Sequence, residues 1–144
     1  MTAFTAHRMI LAPRARVAHV LTSIAELAEW NPALLGVAAP DRVATIGREY
    51  RVTTRVPGPA TLRYAETSAE RIVWVLTVVG GVEVGEWDLQ DARLPDTSDS
   101  GTQVDSGSTV VTHTVRHSGL LLRALRSAMR PVPALRLDRL ADRL

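Results

Sequence analysis

From Leu35 to His117 the apolar residues of this chain keep the two-residue period of strands that bury one face and wet the other. Tyr50, Val52, Thr54 and Val56 alternate with Glu49, Arg51, Thr53 and Arg55. Leu62, Tyr64 and Glu66 share a side of a strand over 61–68, and Ile72, Trp74, Leu76 and Val78 share a side of one over 71–79. Trp87 and Leu89 do so over 82–90, with Glu83 and Gly85 in line, and Val111, His113 and Val115 over 108–117. A short strand is also predicted over 37–42. Pro57-Gly58-Pro59 and Gly80-Gly81 read as turns short enough to send the chain back antiparallel. Strands joined this way make an antiparallel meander.

The flanking segments read differently. Ala3 to Leu11 is predicted to open the sheet as a strand. Val17, Val20, Leu21, Ile24, Leu27 and Ala28 then recur at helical spacing, with Pro13 suited to a first helical position. Ser23, with Glu26 three residues on, predicts a capping box that starts a second short helix. Pro32 stops it, because Asn31 before a proline is pushed out of helical geometry. In the C-terminal tail, Leu121, Leu122, Leu125 and Met129 form one apolar stripe; Leu137, Leu140, Ala141 and Leu144 form another. Pro131 and Pro133 lie between them, and a proline costs roughly 3 kcal/mol inside a helix, so the tail is predicted as two helical pieces broken near Pro131–Pro133. A sheet with a helix pair before it and a helix closing over it is a cupped sheet with a lid, a shape suited to an apolar guest.

Composition narrows the function classes. A chain of 144 residues fits one domain, 1–144, with a single core. No apolar run nears the ~20 residues of a transmembrane helix. The start, Met1 to Arg8, lacks a secretory signal, and a cytoplasmic location is expected. The absence of cysteine excludes disulfides, thiolate nucleophiles and thiolate-bound zinc. The pI of about 9.9 overstates the basicity: every basic residue is arginine and the net charge is only +2, which gives no reason to expect DNA as a partner. Residues 119–144, however, hold Arg123, Arg126, Arg130, Arg136, Arg139 and Arg143 against Asp138 and Asp142. That basic face could meet an acidic membrane or RNA, or be a solvated face whose arginine stems cover apolar surface.

The 91–107 stretch is rich in Asp, Ser, Thr and Gly and reads as a surface loop. Asp96 to Gly101 looks like the start of a calcium loop, but Gly107 stands where the bidentate Glu belongs, so no metal is expected there. His113 and His117 have a ligand-like spacing, yet four residues of strand separate them by roughly 13 Å, too far to share zinc. No cofactor motif appears.

The order of Trp30-Asn31-Pro32, Gly47 with Tyr50, Tyr64 and Glu66 before Arg71 to Trp74, Trp87 with Leu89, and Val111-Thr112-His113 running to Gly119-Leu120-Leu121 resembles the START/Bet v1-like (SRPBCC) superfamily, and within it the bacterial polyketide cyclase/dehydrase and lipid-transport group. The resemblance spans essentially the whole chain. It implies an α+β helix-grip fold: a seven-stranded antiparallel sheet curled around a C-terminal helix, two short helices after the first strand, and a ligand cavity between sheet and helix. The proline break and the long loop before the last strand depart from that pattern.

Candidate site residues follow from the inward faces. Tyr50, Tyr64, Trp74 and Trp87 give aromatic walls with polar tips, and Thr54, Glu66 and His113 add polar groups. His113, between Val111 and Val115, is the candidate general acid/base, with Glu66 or Glu83 available to orient it. Trp30 is expected to plug the end of the helix pair. Three readings result: a carrier of a small hydrophobic ligand (lipid, polyketide or aromatic), a cyclase- or aromatase-type enzyme using His113, and an interaction protein using the basic tail on membrane, RNA or protein. A homodimer is compatible with all three.

Overall fold

The computed structural model describes residues 2–92 and 107–144. The expected loop and the Asp96–Gly101 segment lie largely outside them. The chain runs β1 (Thr2–Ile10), α1 (Arg14–Thr22), a 3-10 turn (Ile24–Glu26), α2 (Leu27–Trp30), then β2 (Leu34–Ala38), β3 (Glu49–Thr54), β4 (Ala60–Thr67), β5 (Arg71–Val78), β6 (Gly81–Asp91) and β7 (Thr109–Ser118). Three helical pieces close it: α3 (Leu120–Ala124), α4 (Arg126–Met129) and α5 (Val132–Arg143). The strands form one seven-stranded antiparallel sheet in the order β1-β7-β6-β5-β4-β3-β2. The expected α+β architecture is present.

Local chemistry explains most boundaries. Pro13 stands just before α1 rather than in it. Asn31 leaves α2 with ψ of 110°, as a residue before proline must, and its side-chain oxygen accepts the Ala33 N–H at 3.1 Å. The predicted capping box is not made. Ser23 caps nothing with its side chain; its hydroxyl instead donates to the His19 carbonyl at 2.6 Å, closing α1. The second hairpin turns one residue earlier than expected. Val78 pairs with Gly81, so the turn is Val79-Gly80, and Gly80 alone takes a positive φ of 87°.

The C-terminal segment breaks twice. The chain leaves helical geometry at Leu125 (ψ 11°) as well as at the prolines. The predicted break at the prolines is present and starts α5: Pro131 is its cap and Pro133 falls in its first turn, where a missing N–H costs nothing. At the start of α3, Gly119 has φ of 97°, and a Cβ there would lie 2.5 Å from the Gly80 carbonyl oxygen. Gly80 and Gly119 thus let the β5–β6 turn touch the start of the lid, where the Leu121 N–H donates to the Gly80 carbonyl at 3.0 Å.

A single apolar cluster joins α1, α2, α5 and the concave face of the sheet, with Val17, Leu21, Ile24, Leu27, Leu137 and Leu140 all at 0–1% exposure. Tyr64 pins the helix pair to the sheet, its hydroxyl donating to the Leu21 carbonyl at 2.6 Å. Burial, with Tyr50 nearby, raises that phenol well above its usual range, so it stays a donor at all ordinary pH. Tyr64→Phe orphans this carbonyl and is expected to cost about 1–3 kcal/mol in urea unfolding, with an unchanged denaturant slope.

Candidate functional site

The site begins on β6, where the inward positions are Glu83, Gly85, Trp87 and Leu89. Antiparallel register sets Glu83 opposite His117 of β7 and Leu76 of β5, and Trp87 opposite His113. Gly85 faces Trp74 across β5, and a Cβ on Gly85 would lie 2.3 Å from the Trp74 Nε1. The missing side chain lets the Trp74 indole lie across β6 with its N–H 3.4 Å from Glu83 Oε2.

From above, α5 lowers Arg136 onto this floor. Its Nη1 and Nη2 donate to Glu83 Oε2 and Oε1, both at 2.9 Å, in a two-pronged pair. Arg136 is 1% exposed and Glu83 4%. The His117 Nε2 lies 3.3 Å from Glu83 Oε1 and donates to it. Arg136 Nη1 also reaches His113 Nε2 at 3.2 Å, and the His113 Nδ1 lies 2.9 Å from the Glu86 carbonyl. These partners fix His113 as the Nδ1–H tautomer, with its Nε2 lone pair taken by the guanidinium. Trp87 stacks on the His113 ring at 3.6 Å and 13°, and the Arg136 guanidinium lies 5.7 Å from the Trp74 ring centre.

Electrostatics follow from this packing. Burial alone would raise the Glu83 carboxyl, but the Arg136 charge and the hydrogen bonds from His117 and Arg136 outweigh it and hold the group well below the usual carboxylate range. His113 is pushed down to about 3 by burial and then by the Arg136 charge, against the smaller pull of the Glu86 carbonyl and Glu83. Two polar atoms of the cluster, Arg136 Nε and His117 Nδ1, are buried without a protein partner. His113 and His117 bond to different groups, and among the described residues no three such side chains gather as a metal site would require.

The predicted site residues divide. Tyr64, Trp74, Trp87 and His113 lie together inside, each at 0–1% exposure; Tyr50 is as deeply buried, but its hydroxyl turns to the β2–β3 loop, donating to Asp41 at 2.7 Å and accepting the Thr45 N–H at 2.8 Å. Their rings meet each other: Tyr64 and Trp74 at 5.9 Å, Trp74 and Trp87 at 5.4 Å, both edge to face. Trp30 joins them, edge-on to Trp87 at 5.9 Å. Thr54 is inward but tied locally, its hydroxyl bonding to the backbone of Val56. Glu66 is outside. β4 carries a bulge between Tyr64 and Glu66, which turns Glu66 to the outer face beside Arg71, 3.4 Å away. Only Glu83 is placed to act on His113, and it does so through Arg136.

The deep positions Ile72, Trp74, Trp87 and Val111 are at 0–1%. Val52, Thr54, Ala60, Leu76 and Leu122, at 5–9%, form a mostly apolar rim at the sheet end where β5 turns into β6 and α3 begins; Trp30 and Ala92 elsewhere are covered to the same degree. Two recesses of about 410 and 400 Å3 lie elsewhere, on the outside of α1 around His19 and Val43, and none of the predicted site residues lines them.

Sequence reasoning missed Arg136, grouping it with the solvated basic face. The signal was present: Pro133, Arg136, Leu137 and Leu140 recur at three- and four-residue spacing and are all buried in α5. An arginine on the apolar side of a helix opposite an in-line glutamate asks for a pair.

The geometry can be compared with solved structures. A START superfamily protein from Mycobacterium smegmatis matches with a TM-score of 0.65 at 10% identity, covering 98% of this chain and 97% of that one. The chain has the helix-grip fold. A Chromobacterium violaceum protein of the same extent matches at 0.66 and 19% identity, covering 100% and 98% of the two chains. A protein of the dynemicin biosynthetic locus matches at 0.65 and 14%, with 97% of this chain covering 46% of that one. No protein-family model and no curated protein sequence matches. At these identities the helix-grip likeness is one of fold.

Removing one member of the buried pair leaves a charge unpaired. Arg136→Met is expected to cost about 3–5 kcal/mol in urea unfolding, and adding Glu83→Leu to recover much of it, because an apolar pair no longer strands a charge. Acid should weaken the fold in two steps of the same sign. His113 is neutral in the fold down to about 3, whereas an unfolded histidine takes up a proton from about 6.5, so its contribution is full above 6.5 and fades toward 3. Glu83 adds a loss as pH falls through and below the unfolded glutamate value of about 4.3. Midpoints of urea unfolding measured from pH 7.5 to 3.5 should fall on acidification, less steeply from 6.5 to 4.5 in His113→Gln.

Proposed function

We propose that the chain binds a small apolar molecule carrying one polar oxygen, between the concave face of the sheet and the C-terminal helices. The observation that carries this reading is the charged group at the centre of an otherwise apolar concavity. A buried ion pair is weak evidence for stability, because apolar replacements often fold as well. A perturbed, desolvated cluster inside a fold is a candidate site. Arg136 Nε, buried and without a protein partner, offers a hydrogen bond that a guest hydroxyl, carbonyl or carboxylate oxygen would complete. The helix-grip likeness to a START superfamily protein is in keeping with a ligand-binding reading.

The rings of Tyr50, Tyr64, Trp74 and Trp87 fill the deep end, so the guest is assigned to the rim of Val52, Thr54, Ala60, Leu76 and Leu122, with its polar end toward Glu83 and Arg136. Leu76 pairs directly with Glu83, so the rim and the charged floor are adjacent. Room comes from the lid. α3 and α4 span five and four residues, and no side chain caps either. Helices this short depend on packing for their stability.

Binding is favoured over chemistry at His113. Its free nitrogen lone pair is held by Arg136, and it takes a proton only near 3, far from the range in which a general base works best at neutral pH.

Native mass spectrometry of the protein from its own host, with titration of an apolar fluorescent probe, tests the proposal. A co-purified small molecule and saturable one-to-one probe binding are expected, with binding lost in Thr54→Arg and kept in His113→Ala. No saturable binding by any apolar probe, together with no co-purified molecule, would remove the reading. Turnover of a bound molecule that disappears in His113→Ala would make the protein an enzyme instead.

A further inference from the structure

Charge is segregated along the sheet. One end holds the β3–β4 turn (Pro57-Gly58-Pro59), the Val79-Gly80 turn and the start of α3. These meet in space: a Cβ on Gly58 would lie 2.8 Å from Val79 Cγ2, and one on Gly80 would lie 2.8 Å from Leu121 Cβ. The chain segments at this end, 52–60, 76–82 and 116–131, contain no acidic residue. They contribute Arg55, Arg123, Arg126 and Arg130, all exposed. Among the described residues none of these four is in an ion pair, nor are Arg16, Arg42, Arg51, Arg63 and Arg139 elsewhere, whereas Arg8, Arg14, Arg48, Arg71, Arg116, Arg136 and Arg143 all are. Glu83, the nearest carboxylate in sequence to the Val79-Gly80 turn, is already neutralised by Arg136.

The same end projects bare aliphatic side chains. Leu120 is 83% exposed and Val79 55%, with Pro57 and Pro59 exposed beside them. Leu120 follows Gly119 at the first position of α3, so it points off the tip rather than into the core. The far end also exposes aliphatics (Met9, Leu11, Val43, Ile46) but among Glu26, Glu29, Asp41, Glu49 and Glu70. Among the described residues, Arg42 next to Val43 and Arg16 in α1 are also exposed without an ion pair, but the α3 end combines unpaired arginines and bare aliphatics in segments free of acid.

We infer that this tip docks on an anionic lipid bilayer, with Leu120 and Val79 entering the headgroup–acyl boundary and Arg55, Arg123, Arg126 and Arg130 lying against lipid phosphates and carboxylates. Aliphatic residues ringed by arginine match the two-part signal of interfacial binding: a few apolar groups to insert and a basic collar for the negative surface. RNA is the weaker fit, because single-stranded RNA readers stack bases on well-exposed aromatic rings, and the ring beside these arginines, Phe4 under Arg130, is only partly exposed. The inference does not require a guest in the concavity, although the rim described above opens at the same end.

Vesicle sedimentation with the full chain tests it, comparing pure phosphatidylcholine with phosphatidylcholine containing phosphatidylserine, at low and high salt. Binding is expected on the anionic vesicles and to fade as salt rises. At roughly fivefold per arginine, Arg123→Ala with Arg126→Ala should weaken it about thirtyfold. Leu120→Asp with Val79→Asp should abolish it, and Met9→Asp with Leu11→Asp at the far end should leave it unchanged. Circular dichroism confirms that each variant, exposed at every changed position, stays folded. Equal binding to neutral and anionic vesicles, binding indifferent to Leu120 and Val79, or binding to single-stranded RNA with none to vesicles would overturn the inference.

Discussion

The Arg136–Glu83 pair is the interaction on which the interior arrangement turns. It joins the closing helix to the middle of the sheet through two parallel hydrogen bonds of 2.9 Å, out of contact with water. Two desolvated ions tolerate little displacement, because their attraction must repay the loss of hydration at every position of the helix. The pair therefore sets the rotation of α5. With Arg136 turned down onto β6, Pro133, Leu137 and Leu140 are turned down with it, and Asp138, Arg139 and Asp142 face out. The same guanidinium claims the lone pair of His113 and so fixes that ring's tautomer and charge.

Around the pair, aromatic packing replaces what would otherwise be open volume. Trp87 lies flat on His113, Trp74 meets Trp87 and Tyr64 edge-on, and Trp30 closes the far side of Trp87. Such contacts exploit the opposite signs of ring face and edge and hold the rings in one arrangement. The interior is thus solid at its deep end, and the aliphatic residues toward the α3 end, Val52, Ala60, Leu76 and Leu122, are buried as well, at 5–7% exposure. Polar floor, apolar rim and short uncapped helices follow one another along a single direction of the molecule, and the unpaired arginines lie at the end of that line.

Much of this was legible in the chain. Alternation along 49–56, 71–79 and 108–117 placed the inward residues correctly, because a two-residue period leaves no freedom about which side faces the core once one residue is assigned. Five of the seven proposed site residues (Tyr50, Tyr64, Trp74, Trp87, His113) share the deep interior. Glu66 escaped because a bulge adds a residue to β4 just before it, and a single extra residue reverses every side chain beyond. Ser23 looked like a cap, yet its hydroxyl had a nearer acceptor behind it in α1. Local rules rank the acceptors available in the sequence, not the distances that folding creates.

The sequence by itself determined the class of fold, the strand order by short turns, the helix pair stopped at Trp30-Asn31-Pro32 and the inward set of aromatic residues. These depend on periodicity and on the backbone limits of proline and glycine, which act within a few residues. The tertiary structure alone decided that Arg136 belongs to Glu83 rather than to water, that His113 is held neutral, and that acid-free segments far apart in the chain share one tip. Those outcomes depend on which side chains come together from 23 to 53 residues apart in the chain, and on the loss of solvent between them.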